Sequence, residues 1–291
     1  MTARTKTKPN ARPKATPRKK AAARDWTAAF RVGPGRKIRL SAWNPAEDGG
    51  FDKKETRKAT AKIIEEIDDL QCRLYAESKQ ALLVVLQAID AGGKDGTIRR
   101  VFGPINPQGM RVTSFKKPTE LERSHDFLWR IHRAVPPLGH IGLFNRSHYE
   151  DVLVVRVRKL APPEIWKARY DHINAFERML RDHGTRVVKF FLYISRDEQR
   201  DRMQRRLDDP GRNWKFSEAD LEERKHWDDY MAAFEDALSR CSTADAPWYV
   251  VPANRKWFRD HLVATVLRDT LRAMDPRTPP SPDLSGIVID G

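Results

Sequence analysis

Short apolar runs alternate along this chain with longer stretches of helical periodicity. In the first run, residues 81–86 (Ala-Leu-Leu-Val-Val-Leu), every position is apolar, whereas residues 55–80 before it carry apolar side chains at helical spacing. A strand that is apolar at every position is typical of a parallel sheet covered on both faces. Similar short runs follow at 110–115, 140–144, 186–194 and 248–251. The helical patterns between the runs lie around 97–103, 119–134, 164–182, 196–208, 217–240 and 255–274.

This alternation predicts an α/β protein in which helices wrap a parallel sheet. Residues 196–240 depart from it, because two helical patterns follow each other there with no strand between them. The loop that joins them and the helix before it are rich in basic residues, namely Arg200, Arg202, Arg205, Arg206, Arg212 and Lys215. A helical hairpin that carries cations and projects from a parallel sheet is typical of a lid over phosphates, so we predict a lid at about 196–240.

The formal charge of +15 is concentrated at the start of the sequence. Residues 1–24 hold nine Lys or Arg and no acidic residue, whereas the rest of the chain has 46 basic against 40 acidic residues. A basic segment with nothing apolar to bury is expected to be disordered, although it could hold a polyanion. We predict that residues 25–54 form an arm on a domain spanning 55–275, followed by a flexible tail at 276–291.

Several classes of protein are excluded by what the sequence lacks. No run approaches the roughly 18 apolar residues of a membrane-spanning helix. The two cysteines, Cys72 and Cys241, cannot form a disulfide framework, so we expect reduced thiols and a cytoplasmic protein. The histidines lack metal-ligand spacing, and the chain has no Gly-x-Ser-x-Gly nucleophile turn.

Small residues and a lysine follow the first strand directly, in the sequence Gln87-Ala-Ile-Asp-Ala-Gly-Gly-Lys-Asp-Gly-Thr97. Small residues let the backbone bend around an anion, and amides at the start of a helix point towards it. We therefore predict a phosphate-binding loop in which Lys94 reaches phosphate oxygens and Asp90 supplies an oxygen ligand for magnesium. The predicted phosphate-binding residues of this loop are Ala91, Gly92, Gly93, Lys94, Asp95, Gly96 and Thr97.

This loop departs from the standard P-loop, which has Gly in place of Ala88 and Ser or Thr in place of Asp95. The alternative interpretation is a glycine-rich strand-to-helix turn without a ligand. A second polar set follows the run 140–144, where Asn145 stands at the position of the acidic residue that assists magnesium in P-loop enzymes. Arg146, next to it, is placed to neutralise a transferring phosphoryl group.

Seven strings of the sequence, taken together and in this order, resemble the polyphosphate kinase 2 family. The resemblance covers about residues 50–272. The strings are Asp90-Ala-Gly-Gly-Lys-Asp-Gly-Thr97, Asn106-Pro-Gln-Gly109, Ser114-Phe-Lys116, His125-Asp-Phe-Leu-Trp-Arg130, Asn145-Arg-Ser-His-Tyr-Glu-Asp-Val-Leu-Val154, Asp209-Pro-Gly-Arg-Asn-Trp-Lys-Phe-Ser217 and Ala246-Pro-Trp248.

The resemblance implies a three-layer α/β/α fold of the P-loop kinase type with a helical lid. It implies transfer of a phosphoryl group from inorganic polyphosphate to AMP or ADP, with Mg²⁺, or Mn²⁺ as the alternative, bound at Asp90 and Asn145. Many relatives have Asp where this chain has Asn145, and the chain resembles the subgroup that accepts nucleoside monophosphates as well as diphosphates. The roles carried over are catalysis by Asp90, Lys94 and Arg146, phosphate binding by Arg146, and polyphosphate binding in the lid by Arg202, Arg206 and Lys215.

The expected partners are polyphosphate, adenine or guanine nucleotides and further copies of the chain in a homodimer or homotetramer, without membrane or nucleic acid. Two other functions stay open. One is an ATP-dependent nucleotide or small-molecule kinase on the same scaffold. The other is a non-enzymatic protein that binds a polyanion such as nucleic acid, which the sequence pI of about 9.9 suggests.

Overall fold

The structure is a computed structural model that describes residues 25–211, 213–283, 285 and 289. Several predicted segments lie partly or wholly outside the described residues. They are the predicted disordered segment 1–24, Arg212 and, in the predicted tail, residues 284, 286–288, 290 and 291.

Five parallel strands form one sheet in the order β2-β3-β1-β4-β5. The strands are β1 (Ala81–Gln87), β2 (Met110–Ser114), β3 (Ile141–Asn145), β4 (Thr185–Tyr193) and β5 (Trp248–Pro252). Strand β1 lies at the centre with all seven residues buried, as its continuous apolar run predicts. Because the chain leaves β1 for β2 and β3 on one side and for β4 and β5 on the other, a crevice is expected at the carboxyl end of β1.

The helices cover both faces of the sheet. They are α1 (Lys53–Glu77), α2 (Lys94–Thr97), α3 (Glu120–Arg123), α4 (Trp129–His132), α5 (Val154–Val157), α6 (Pro163–Asp182), α7 (Arg196–Asp208), α8 (Glu218–Lys225), α9 (Trp227–Cys241) and α10 (Lys256–Met274). Successive side chains of β1 point to opposite faces, so Val84 packs with α1 and α10, whereas Val85 packs with α6 and α9. The predicted α/β/α fold is thereby confirmed.

Two predicted helices are interrupted. The pattern at 119–134 forms the separate helices α3 and α4, because the Asp126 carboxylate accepts a hydrogen bond from the backbone of Leu128 and turns the chain between them. The pattern at 217–240 is divided at His226 into α8 and α9. Helix α8 begins at the cap formed by Ser217, whose hydroxyl accepts a hydrogen bond from Ala219 N.

Residues 25–54 lie along the β5 side of the sheet. Val32 N donates to Trp248 O at 2.9 Å, and Trp26 stacks on His261 with ring centroids 5.4 Å apart. Phe30 is buried against Phe258 of α10. The segment therefore contributes to the core instead of only lying over it.

Among the described helices, none has the length and hydropathy needed to cross a bilayer.

Candidate active site

The loop between β1 and α2 is held in a tight turn by its own backbone. Gly92 N donates to Ile89 O at 3.0 Å, and Ala91 and Gly93 take left-handed conformations with φ of 59° and 107°. A Cβ atom on Gly92 would lie 2.5 Å from the Ala88 side chain and 2.8 Å from Ile89 O, so only glycine fits there. The small residues of the sequence are thus required by this turn.

Lys94 begins helix α2 and extends its side chain back across the turn. Its Nζ donates to Ala88 O at 2.8 Å. Burial lowers the pKa of this amine, and the neighbouring Arg146 lowers it further, while Asp90 opposes both effects. The carbonyl contact is a hydrogen bond that a phosphate oxygen could replace, since a phosphate at a helix start accepts from both amides and a lysine.

Arg146 connects the end of β3 to the loop after β1. Its backbone N donates to Leu86 O at 3.1 Å, and its side-chain Nη2 donates to Asp90 Oδ1 at 2.8 Å. A second carboxylate oxygen, on Glu150, lies 3.8 Å from Nη1. Burial disfavours the charged form of Arg146, yet Glu150 and Asp90 raise its pKa, so the guanidinium stays charged. The structure thus brings together Asp90 and Arg146, two of the residues expected to be catalytic.

Asn145, the last residue of β3, faces the same loop. Its Nδ2 lies 3.2 Å from Asp95 Oδ1 and 3.4 Å from Ser114 Oγ, at the end of β2. Its Oδ1 is buried and has no hydrogen-bond partner among the described residues. An orphaned amide oxygen on a residue that also contacts the Asp95 carboxylate suits a hard cation such as Mg²⁺, which prefers oxygen ligands. No group of three or more His, Cys, Asp or Glu side chains with metal-binding geometry occurs in the part of the chain that the structure describes.

The predicted lid residues take up different places. Arg206 of α7 pairs with Asp220 of α8 across the hairpin, with Nη1 and Oδ2 3.1 Å apart. Burial raises the pKa of Asp220 and the Asp90 carboxylate raises it further, while Arg206 and Arg146 oppose both effects. Lys215 is in a short 3-10 helix, Asn213–Lys215, between α7 and α8.

Arg202, also on α7, lies behind the phosphate-binding loop and not over it. Its Nη1 donates to Ala91 O and to Gly92 O, both at 3.0 Å. The side chain is buried, whereas most of the basic side chains on this helix are exposed. The sequence places Arg202 among the lid cations, but the structure brings it into contact with the loop backbone.

A buried charged network, which no motif of the sequence indicates, supports the segment that carries Asn145 and Arg146. Lys189 of β4 contacts the Glu177 carboxylate and donates to Tyr149 OH at 2.9 Å. His148 contacts the same carboxylate at 3.2 Å, and burial lowers its pKa, which keeps the ring neutral. Burial favours protonation of Glu177, but the Lys189 ammonium and the hydrogen bond with His148 together outweigh burial and lower the pKa of that carboxyl. The signal available in the sequence was one lysine inside the apolar run 186–194.

A pocket of about 350 Å³ opens beside Asn145 at the end of β2. Most of its polar lining is cationic or hydroxyl side chains, including Ser114, Lys116, Lys117, Thr119, Arg130 and Arg133, and its one carboxylate, on Glu122, lies 3.7 Å from Arg130 Nη1. Arg130 is fixed in its wall because Nη1 donates to Lys116 O at 2.8 Å. A pocket with this lining suits an anionic ligand, and it lies on the opposite side of Asn145 from the β1 loop.

A glycine-containing loop lies between the central parallel strand and a helix, and a lysine, an arginine and oxygen ligands converge on it. This arrangement defines a phosphoryl-transfer protein of the P-loop type. A family model for polyphosphate kinase 2 matches residues 50–279, and the chain belongs to that family.

Known proteins match most of the chain. An AMP/ADP-polyphosphate phosphotransferase of Meiothermus ruber is 50% identical over 264 residues, which are 90% of this chain and 99% of that protein. An ADP-polyphosphate phosphotransferase of Rhodopseudomonas palustris is 46% identical, over 88% of this chain and 94% of that one. The crystal structure of polyphosphate kinase 2 from Arthrobacter aurescens superimposes with a TM-score of 0.84 at 43% identity, covering 88% of this chain and 92% of that one.

Proposed function

We propose that this chain is a polyphosphate:nucleotide phosphotransferase that moves the terminal phosphoryl group of inorganic polyphosphate to AMP and to ADP. The observation that carries the proposal is the convergence of Lys94 and Arg146 on the loop at the end of β1. Full-length similarity to enzymes named for AMP, ADP and polyphosphate supports the same substrates.

The chemistry is an in-line displacement at phosphorus. A terminal phosphate oxygen of the nucleotide attacks the end phosphorus of polyphosphate, and the shortened polyphosphate leaves. The attacking oxygen is already anionic, so no general base is needed. Catalysis then consists of alignment and charge neutralisation, which Lys94, Arg146 and the loop amides supply.

Polyphosphate kinase 2 enzymes are metal-dependent. We assign the ion as Mg²⁺, with Mn²⁺ as the alternative, held by Asp90 and Asn145 together with phosphate oxygens of the substrates. When bound, such an ion neutralises phosphate charge and orients the reacting groups. The proposed acceptor site is the cationic pocket that includes Lys116 and Arg130, because it adjoins Asn145 on the side away from the loop.

One assay tests the function directly. Long-chain polyphosphate, Mg²⁺ and either AMP or ADP are incubated with the protein, and the nucleotide products are separated by chromatography. Formation of ADP from AMP and of ATP from ADP is expected, with adenine and guanine nucleotides compared side by side. Phosphorylation with ATP as the sole effective donor would instead identify an ATP-dependent kinase, and binding of polyphosphate without turnover would identify a polyanion-binding protein.

Two further properties belong to this proposal. We expect a homodimer or homotetramer, which light scattering of the full chain measures, and a cytoplasmic location, where nucleotides and polyphosphate are both accessible. A monomer at assay concentrations would contradict the first expectation without affecting the reaction.

Asp90→Asn is expected to raise the magnesium concentration for half-maximal rate by at least about tenfold, because loss of an outer-shell partner alone lowers metal affinity about 10–100-fold. The standard P-loop has a Ser or Thr hydroxyl at position 95 that could compensate, but this loop has Asp there. The measurement is a magnesium titration of the initial rate. Glu150→Gln is the matched control, because Glu150 also faces Arg146 but lies outside the loop. A titration of Asp90→Asn that overlays the wild type would show that Asp90 only holds Arg146.

Arg206→Gln is expected to raise the KM for polyphosphate about tenfold and that for ADP much less, since a charge-assisted hydrogen bond contributes about 1.5–3 kcal/mol. The difference between the KM change for polyphosphate and the KM change for ADP should become smaller as ionic strength rises through about 0.1 M, where exposed charges are screened. Arg200→Gln is the control, because Arg200 is exposed on the same helix and pairs with Asp197 and Asp201. Equal changes in both KM values would indicate that Arg206 only joins α7 to α8 through Asp220.

A further inference from the structure

The carbonyl side of the phosphate-binding loop is held from outside the loop. Four successive carbonyl oxygens, those of residues 90–93, accept hydrogen bonds from buried side chains of α7 and α10. The donors are Gln199 Nε2 to Asp90 O at 3.0 Å, Arg202 Nη1 to Ala91 O and Gly92 O at 3.0 Å each, and Arg259 Nη1 to Gly93 O at 3.2 Å. Backbone carbonyls in a turn of this kind ordinarily bond to water or to the backbone. Here the carbonyls of residues 90–92 bond to side chains, and Gly93 O bonds both to Arg259 and, at 3.0 Å, to Thr97 N.

The Arg202 guanidinium is fixed at every nitrogen. Nη2 donates to Ala253 O at 2.5 Å, and Nε donates to Glu198 Oε1 at 2.7 Å, in addition to the two loop carbonyls. Its side chain is 7% exposed. Nη2 also donates to Asn254 O at 3.4 Å, so all five N–H donors of the guanidinium are directed at protein oxygens and none is left for a phosphate.

Arg259 is fixed as firmly on the other side of the loop. Its side chain is 1% exposed, and Nε and Nη2 donate to Asp260 Oδ1 at 2.9 and 2.6 Å. A Cβ atom on Gly93 would lie 2.2 Å from Arg259 Nη1, so the guanidinium packs directly on the loop backbone. Glycine at this position is therefore needed for the arginine as well as for the positive φ.

The direction of these carbonyls determines the direction of the amides. In a trans peptide, the N–H of one residue points opposite to the C=O of the residue before it. When Arg202 holds Gly92 O and Arg259 holds Gly93 O, the amides of Gly93 and Lys94 point away from both guanidiniums. Those amides stand at the start of α2, where a phosphate would accept from them.

We propose that Arg202 and Arg259 are positioning residues for phosphoryl transfer, which fix the loop carbonyls so that the loop amides and Lys94 are aligned on the phosphates. They act through the loop and do not themselves contact substrate. A displacement of about 1 Å at reacting groups can cost about 100-fold in rate, so a loosened loop is expected to affect kcat more than binding. This inference rests on the proposed function.

The test compares Arg202→Met, Arg202→Lys and Arg205→Met with the wild type. Arg205 is the matched control: it lies on the same helix and pairs with the same oxygen, Glu198 Oε1 at 3.1 Å, but it is 59% exposed and makes no contact with loop atoms among the described residues. For each protein kcat, the KM for polyphosphate and the KM for ADP are measured well below the lowest Tm of the set. Affinity for tripolyphosphate is measured by calorimetry without turnover.

Arg202→Met is expected to lower kcat about 10–100-fold with both KM values changed less than about threefold. Arg202→Lys should stay close to Arg202→Met, because one ammonium cannot span Ala91 O, Gly92 O and Ala253 O. Arg205→Met should alter the rate less than about fivefold, as an exposed ion pair contributes at most about 1 kcal/mol.

Three results would overturn the proposal. They are a rise confined to the KM for polyphosphate with weaker tripolyphosphate binding, restoration of kcat by Arg202→Lys, and a lower Tm with an unchanged kcat. If Arg202→Met does not fold, Arg202→Lys decides between the same outcomes. If the wild type uses ATP and not polyphosphate, the proposed function fails, while the same variants assayed with ATP still test the role of the arginines.

Discussion

Lys94→Ala is expected to lower kcat about 100–1000-fold while the protein stays folded, since removing one preorganised donor to developing charge typically costs about 2.7–4 kcal/mol. The Lys94 ammonium is the cation that lies within the loop, 2.8 Å from Ala88 O. The substitution removes this hydrogen bond and changes no side chain of the sheet, so the protein should stay folded. The measurement is kcat with polyphosphate and ADP, together with a thermal melt followed by circular dichroism.

Lys94→Met distinguishes the charge from the packing of the lysine stem. Methionine keeps a long apolar side chain across the turn but has no ammonium, so its loss of kcat should match that of alanine. If both variants turn over at near the wild-type rate, the loop is a structural turn and the phosphate-binding assignment is wrong. A loss with alanine but not with methionine would attribute the effect to packing alone.

Four strands of the sheet were predictable because each is a largely apolar run bounded by polar or helical sequence. The edge strand β2, Met110–Ser114, is more than half polar and mostly exposed, so the prediction of a run similar to 81–86 was wrong about its burial. The run 81–86 is the clearest, and it becomes the fully buried centre of the sheet. The order of strands was not predictable, since periodicity reports which faces are buried but not which strands are neighbours. The break between α3 and α4 was missed because it depends on the side-chain hydrogen bond of Asp126, which outweighs a helical pattern only locally.

Part of the candidate site could likewise be predicted from local sequence, whereas the rest depends on tertiary packing. Lys94 and Asp90 belong to one continuous loop, and Arg146 follows a strand that pairs with β1, so their proximity follows from topology. Arg202 and Arg206 are four residues apart and therefore close on one helical surface, yet one binds the loop backbone and the other binds Asp220. Which partner each arginine meets is decided by how α7 packs against the sheet, and no local pattern contains that.

The buried pair of Lys189 and Glu177 illustrates a further limit. Charged residues are rarely buried unless they are paired, so a lysine in a strand predicts a partner without identifying it. The partner comes from α6, and the pair also holds Tyr149, three residues after Arg146. The segment that follows β3 thus depends on contacts between residues that are distant in sequence.

Arg146→Gly is expected to lower kcat at least about 1000-fold, because an arginine that neutralises a transferring phosphoryl group contributes about 10³–10⁵ in rate. Its effect on folding should be small. Arg146 has φ of 63°, a left-handed conformation that costs a non-glycine residue about 1–2 kcal/mol and glycine almost nothing. Relief of this strain offsets the lost ion pairs with Asp90 and Glu150, so the Tm should change little.

The strain at Arg146 itself argues for a role in the reaction, since an unfavourable backbone conformation persists where the side chain it presents is needed. Arg146→Lys separates charge from geometry: it keeps a cation at the same strained position but loses the planar fork that two phosphate oxygens can accept from. Its kcat should fall between those of the wild type and Arg146→Gly. Turnover by Arg146→Gly within about tenfold of the wild type, at an unchanged Tm, would place charge neutralisation elsewhere and leave Arg146 as a link between β3 and the loop.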